Sequence, residues 1–319
     1  MANKEQNLKI NDLIFRELIK RGYSLDGNKK IWNIADSKLW YLTSSQAQAF
    51  LDLEKSESYN EEIIQKEIKL IKDSMSKILK MVGNGPHNLI DLGCGDGRKA
   101  TLFINTLKEI NKVRYCPIDI SSYMVEKAIR NISKENVDEI VKFQWNISDF
   151  ENIENVAELL RYQDFKKNFF LLLGNTLGNF EINELIYEIR SAMGFDDVLL
   201  IGNGIATKDK ESLLKSYNSP ETNNFLIKIP LQLGLDKEDV TFGNRFKNQR
   251  IEFFYTIKRS KTISFQNKEV KFNEGDQIIV AVSYHYDKES FINFMKMYFG
   301  KVDIHLSKNE DYVLAICKK

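Results

Sequence analysis

The sequence predicts an α/β protein: a parallel sheet with helices on both faces, plus a smaller α+β part built from the N-terminus and an insertion. Three observations carry this. Between residues 88 and 203, short apolar strands alternate with stretches of helical periodicity. The first strand runs into a glycine-rich loop, Gly93-Cys94-Gly95-Asp96-Gly97, that precedes a helix. After Asn203 the rhythm changes, and residues 249–284 alternate as antiparallel strands do.

Residues 1–85 read as helical, because LIFRELIK, AQAFLDLEK and EEIIQKEIKLIKDSMSKILKMV carry apolar residues at helical spacing. GNGP (83–86) breaks the pattern. Strand NLIDL (88–92) leads to a helix near 98–110, strand VRYCPIDI (113–120) and a helix near 122–132. Strand VKFQWNI (141–147), a helix near 152–162, strand KNFFLLLG (167–174), helix 182–193 and strand DDVLLIGN (196–203) complete the run. Such alternation gives a parallel sheet with right-handed crossovers. Residues 208–236 look helical and polar; RIEFFYTIK, KTISF, KEVKF and DQIIVAVSYHY form the antiparallel run. A helix at 287–299 and the pair KVDIHLS and DYVLAICK return to the first style. The expected division is an N-terminal helical part (1–62), a core (63–205), an inserted α+β part (206–286) and a return to the core sheet (287–319).

Of the 319 residues, 43% are hydrophobic, which leaves ample core. The 46 basic and 45 acidic residues leave a net charge of +1, without the basic excess of a protein that grips nucleic acid. Cys94, Cys116 and Cys317 are too few and too scattered for a disulfide framework or a zinc site, and fit a reducing cytoplasm. The start, MANKEQNLKINDLIF, lacks the apolar core of a signal peptide. No apolar run approaches the ~18 residues needed to cross a bilayer. His87, His285 and His305 show no ligand spacing and read as surface or satisfied histidines, so no metal is expected. A cytoplasmic protein with a small-molecule ligand, favoured as a monomer, is the expectation.

Glycines let the loop at 93–97 turn sharply and approach a ligand closely. The dinucleotide fingerprint G-x-G-x-x-G would put its third glycine at position 98, which is Arg98 here. The loop is instead G-x-G-x-G with Asp91 two residues before it, and a carboxylate there suits a cationic ligand better than an anionic one. This pattern resembles motif I of the class I S-adenosylmethionine (SAM) methyltransferases. The resemblance implies a Rossmann-like core in which Gly93, Gly95 and Gly97 pass the amino-acid end of SAM and Asp91 helps hold its ammonium. Asp119 closes the second strand, where an acid accepts both ribose hydroxyls. In WNISDF (145–150), Asp149 and Phe150 resemble the pair that takes the adenine amino group and covers the ring.

After the fourth strand comes LLLGNTLGNF (171–180), without the N/D-P-P-Y/F of methyltransferases that act on base or glutamine amides. GNTLGNF resembles the GSTIGNF segment of the L-histidine Nα-methyltransferase family, which includes fungal enzymes acting on a prenylated tryptophan. VRYCPIDIS, YLTSSQAQAFLDLEKSESYNEE, RIEFFYTIKRSKTISF and FNEGDQIIVAVSYHY are similar to further segments of that family, in the same order. The resemblance implies a substrate domain made from the N-terminus and the insertion. It implies that Asn179 contacts the substrate's amino and carboxylate groups, that Tyr41 and Tyr59 line its pocket, that Tyr217 contacts the carboxylate, and that Lys99 belongs to the SAM side.

Two departures bear on the substrate. Ala281 stands where the histidine enzymes have a glutamate that holds the imidazole, and Phe253 stands where they have methionine. A site built to hydrogen-bond a polar ring loses its grip without that partner. The expectation is therefore SAM-dependent N-methylation of an amino acid or related small amine with an apolar or aromatic side chain, with S-adenosylhomocysteine (SAH) as product. Ser283 and Tyr284 still offer polar contacts, so histidine stays open, as does a non-catalytic SAM-binding role. Asn179 would orient the amine, with Tyr41 or Tyr59 beside it. An aminopropyltransferase would want a polyamine-binding acid cluster after the fourth strand, which is missing.

Overall fold

The computed structural model describes residues 10–206 and 209–319, apart from the side chains of Ser58, Glu62, Trp145 and Ser212. The charged start and Lys208, at the head of the polar helical stretch, lie outside the described residues. In chain order the strands are β1 (Tyr23–Asp26), β2 (Lys29–Asn33), β3 (His87–Leu92), β4 (Val113–Ile118), β5 (Glu139–Ile140), β6 (Lys167–Leu172) and β7 (Val198–Gly204). Then come β8 (Val240–Lys247), β9 (Arg250–Ile257), β10 (Lys261–Phe265), β11 (Lys268–Phe272), β12 (Gln277–Tyr284), β13 (Lys301–Leu306) and β14 (Tyr312–Lys318).

The larger sheet has the order β13-β14-β7-β6-β3-β4-β5. Every neighbouring pair is parallel except those made by β14, which runs against both β7 and β13. Its central strands β3 and β4 are wholly buried, His87, Asn88, Asp91 and Arg114 included. Helices 66–82, 98–107 and 122–132 cover one face, and helices 153–160, 182–192 and 288–298 cover the other. From β3 the chain builds outward to β4 and β5, then crosses back to β6 and β7. The carboxyl ends of β3 and β6 therefore meet at a topological switch point, where open α/β sheets bind ligands.

The smaller sheet has the order β1-β2-β12-β9-β8. It packs on helix Asp12–Arg21 and on helices Pro220–Leu226 and Lys228–Gln232 in a core of its own. Strand β12 also links the two sheets: beyond Tyr284 the chain returns, and the Tyr286 carbonyl takes the Ala206 amide at 3.0 Å.

Three sequence readings are corrected. Residues 1–85 are not helical throughout, because 23–33 form the β1–β2 hairpin. Gly27-Asn28 turns it, with Gly27 at φ +59°, and β2 gains a parallel partner in β12. Strand β8, outside the expected antiparallel run, completes the edge beside β9. The expected strand 141–147 is replaced by the two-residue β5 and a tight turn at Gln144–Asn146. There the Asn146 side chain donates to the Pro117 carbonyl at 2.7 Å and accepts the Phe143 amide, so backbone groups bond to a side chain instead of a ladder. Among the described residues, no helix is long and apolar enough to cross a membrane.

Candidate active site

A cavity of about 960 Å³, solvent at its mouth included, opens at the switch point. Its floor is the glycine loop. Gly93 sits at φ +70°, where a β-carbon would press on Thr176 at 3.0 Å, and its amide donates to the Ile118 carbonyl at 2.8 Å. The Gly95 amide donates to Asp119 at 3.2 Å. Gly97 does not line the cavity: it caps helix Arg98–Leu107 at φ +78°, and a β-carbon there would meet Ala128 and Ile132 at 3.2–3.3 Å. Its smallness lets two helices approach.

Three acids predicted from sequence line this cavity. Asp91 is buried and accepts the Tyr115 hydroxyl at 2.8 Å; burial lifts its carboxyl to about 7. Asp119, at the end of β4, accepts the amides of Gly95 and Ser121, yet burial lifts it to about 6. Asp149 caps the turn Phe150–Asn152 and pairs with Lys38 at 2.6 Å. Phe150 packs on Phe180 with ring centres 5.4 Å apart. Lys99 lines the same cavity and pairs with the fully buried Glu67 at 2.8 Å. The Glu67 carboxylate also takes the Tyr312 hydroxyl at 2.7 Å. Gly202 in β7 leaves the room that Glu67 fills, since a β-carbon there would overlap its carboxylate.

A second cavity, of about 530 Å³, adjoins the first. Tyr41, Phe50, Gly174 and Asn179 line both. The second also receives Tyr59, Tyr217, Phe253, Ala281 and Ser283, while Tyr284, also offered as a polar contact, does not line it and accepts from Arg250 at 3.2 Å. Trp40, Tyr41, Phe50 and Phe225 form a packed aromatic cluster, with neighbouring ring centres 5.4–6.5 Å apart. The Trp40 indole donates to the Val280 carbonyl at 2.9 Å, which ties the N-terminal segment to β12. Burial pushes the Tyr41 and Tyr59 phenols well above their ordinary range and Tyr217 to about 12. Behind this wall, His285 Nε2 stands 3.4 Å from both Tyr217 Oη and Ser283 Oγ, and burial lowers the imidazole to about 4.

A family model for histidine-specific, SAM-dependent methyltransferases matches residues 47–319. The chain belongs to this family. No curated protein matches it by sequence. Among solved structures, it is similar to the PH0226 protein from Pyrococcus horikoshii OT3, at 16% identity over 83% of this chain and 93% of that one, with a TM-score of 0.45. It is also similar to a putative methyltransferase from Thermobifida fusca YX (11% identity, 86% and 94% covered, TM-score 0.42). A third is the amino pentose methyltransferase CalS10 from Micromonospora echinaspora (10%, 85% and 96%, TM-score 0.36).

The methyltransferase uses SAM, and its larger cavity fits that molecule. A glycine floor, two buried acids (Asp91 and Asp119) and the half-buried Asp149 suit a ligand with ammonium, hydroxyl and amino donors and no phosphate. Sequence reasoning missed several groups of the site: Trp40, Phe50, Phe225, Glu54, Glu67 and His285. For Glu54 a signal existed. It lies on the apolar stripe Ala47-Phe50-Leu51 of helix Ser44–Lys55, and an acid inside such a stripe is anomalous. For Glu67 and His285 the sequence offers none, because their partners come from distant segments.

Proposed function

We propose that the methyltransferase transfers a methyl group from SAM to the amino group of an amino acid or related small amine with an apolar or aromatic side chain. The observation that carries this is the second cavity: it adjoins the donor cavity through Tyr41 and Asn179, its far walls are aromatic, and Phe253 and Ala281 stand where the family's histidine enzymes carry methionine and glutamate. In this reading the core (63–205 and 287–319) holds SAM, and the N-terminal and inserted parts (1–62 and 206–286) form the substrate domain.

When bound, SAM supplies an electrophilic methyl group on sulfur. On the donor side, Asp91 faces the ammonium, Asp119 the ribose hydroxyls, and Asp149 and Phe150 the adenine; Gly93, Gly95 and Lys99 wall the methionine end. On the acceptor side, Asn179 orients the amine with its side-chain amide, while Tyr41 and Tyr59 flank it. Their phenols are held neutral, so they orient the amine through hydrogen bonds and do not act as phenolate bases. Among the described residues, no carboxylate lines the acceptor cavity. The amine therefore loses its proton to solvent before it is seated, since an ammonium has no lone pair to attack with. Tyr217 and Ser283 offer hydroxyls to the acceptor's carboxylate. Holding the reactants in line supplies most of the acceleration.

The test is SAH formation with histidine, tryptophan, tyrosine and simple amines, together with binding titrations of the same panel in the presence of SAH. Preference for an aromatic or apolar amine supports the proposal. A clear preference for histidine rejects that specificity, and no SAH from any amine leaves a donor-binding protein without this activity.

A further inference from the structure

Helix Ser44–Lys55 brings into the donor cavity a carboxylate that the glycine-loop motifs do not include. Thr43 and Gln46 cap the helix reciprocally, and Gln48 ties it to the core by accepting from Tyr123 at 2.6 Å and Lys127 at 3.2 Å. Phe50 and Glu54, one turn apart, both line the donor cavity.

Glu54 is only 8% exposed. Among the described residues, no hydrogen bond reaches its carboxylate, and its ion pair with Arg98 is long, at 3.7 Å. Arg98 is committed elsewhere, with three hydrogen bonds of 2.7–3.0 Å to Asp96. The other acids of the cavity already have close partners: Tyr115 for Asp91, two amides for Asp119 and Lys38 for Asp149. A carboxylate buried without hydrogen bonds is costly, and one facing a cavity is relieved by a ligand that donates to it.

The position selects the part of the ligand. Lys99 lines the same cavity as Glu54 and lies against Gly174, in the turn that also brings Thr176 against Gly93. Asp149 and Phe150, in the same lining, pair a polar group with an apolar ring of their own. A zwitterionic amino-acid group needs an anion and a cation close together. Glu54 supplies the anion and Lys99, held from behind by Glu67 at 2.8 Å, the cation, from two different helices.

We propose that Glu54 is a donor-binding residue, its carboxylate taking the α-ammonium of the methionine end of SAM alongside Asp91. One helix then holds the donor through Glu54 and walls the acceptor cavity through Phe50. The proposal rests on the donor reading of this cavity, and the experiment separates the two.

Calorimetry compares SAH with 5′-methylthioadenosine, which keeps the nucleoside and lacks the amino-acid end. Glu54→Gln should weaken SAH binding about ten- to a hundredfold, the range for a charge-assisted hydrogen bond, and leave 5′-methylthioadenosine within about twofold. Asp119→Asn should weaken both ligands. Equal loss of both ligands in Glu54→Gln, or loss of neither, overturns the proposal, as does unchanged SAH binding with a collapsed kcat. Failure of the wild-type protein to bind either ligand overturns the donor reading itself. If Glu54→Gln does not fold, Glu54→Asp keeps the charge and shortens its reach: it must lose SAH affinity while keeping 5′-methylthioadenosine, and equal affinities for both in that variant and the wild type reject the idea.

Discussion

Glu67 accepts the amide of Gly174, 107 positions away, with its two carboxylate oxygens at 2.8 and 3.1 Å. Gly174 lines both cavities, and the same carboxylate holds Lys99 and Tyr312. Glu67 is thus a positioning residue for both halves of the site. Removing it leaves Lys99 buried without its partner, a defect that costs about 3–5 kcal/mol. Glu67→Ala should therefore lower the denaturation midpoint strongly, and Glu67→Gln less. In surviving Glu67→Gln protein the KM values for donor and acceptor should both rise, which denaturant titration and steady-state kinetics together would measure.

Donor binding should depend on pH through Asp91 and Asp119. Burial lifts these carboxyls from the usual 3.8 to about 7 and about 6. Their contribution to the stability of the empty protein is fully present below pH 3.8 and is lost as pH rises through about 6 and 7. A cationic donor reverses this preference by favouring the carboxylates. SAM affinity should rise between about pH 5.5 and pH 7.5, with proton release on binding. Calorimetry in two buffers of different ionisation enthalpy counts the protons, and Asp91→Asn should flatten the upper part of the rise.

Asn179 lines both cavities and makes no side-chain hydrogen bond among the described residues, so its amide is free for the acceptor. Asn179→Ala should reduce kcat/KM for the amine about a hundredfold by letting it wander, with SAH affinity unchanged. Tyr59→Phe, which lines only the acceptor cavity, should raise the KM for the amine and spare donor binding. Single-turnover rates and titrations separate the two effects.

Ala281 and Phe253 face each other across the β12–β9 ladder, both nearly fully buried. Installing the family's pair as Ala281→Glu with Phe253→Met should shift preference toward histidine. The ratio of kcat/KM for histidine to that for the best aromatic amine should rise about tenfold or more, because a carboxylate can then take an imidazole N–H. A ratio that stays put would remove these two positions from the account of specificity.

The donor cavity was largely legible from sequence, because its signals are contiguous: a strand, an acid and a loop of glycines occupy residues 88–97. The residues proposed for the acceptor came from resemblance, and the structure gathers Tyr41, Tyr59, Asn179, Tyr217, Phe253, Ala281 and Ser283 around one space. What escaped depends on topology. The β1–β2 hairpin carried its Gly-Asn turn inside a region dominated by helical periodicity, and its place was decided by pairing with β12, some 245 residues later. Glu54 stood on an apolar stripe, but only the fold shows the cavity it faces, and Glu67 gave no local signal until the turn after β6 was set against it. His285 sat in an unremarkable run of tyrosines, and only the packing of Tyr217 against it reveals a buried imidazole.

Gly202 touches neither cavity, yet it carries a heavy veto on the chain's future. A β-carbon there would overlap the Glu67 carboxylate, which packs against the middle of β7, and force it to shift. That shift would reach Lys99 and the turn at Gly174, both of which Glu67 holds, so a change lining neither cavity would disturb both. Evolution can retune the aromatic walls one ring at a time, but at this spot in a strand it has nowhere to go.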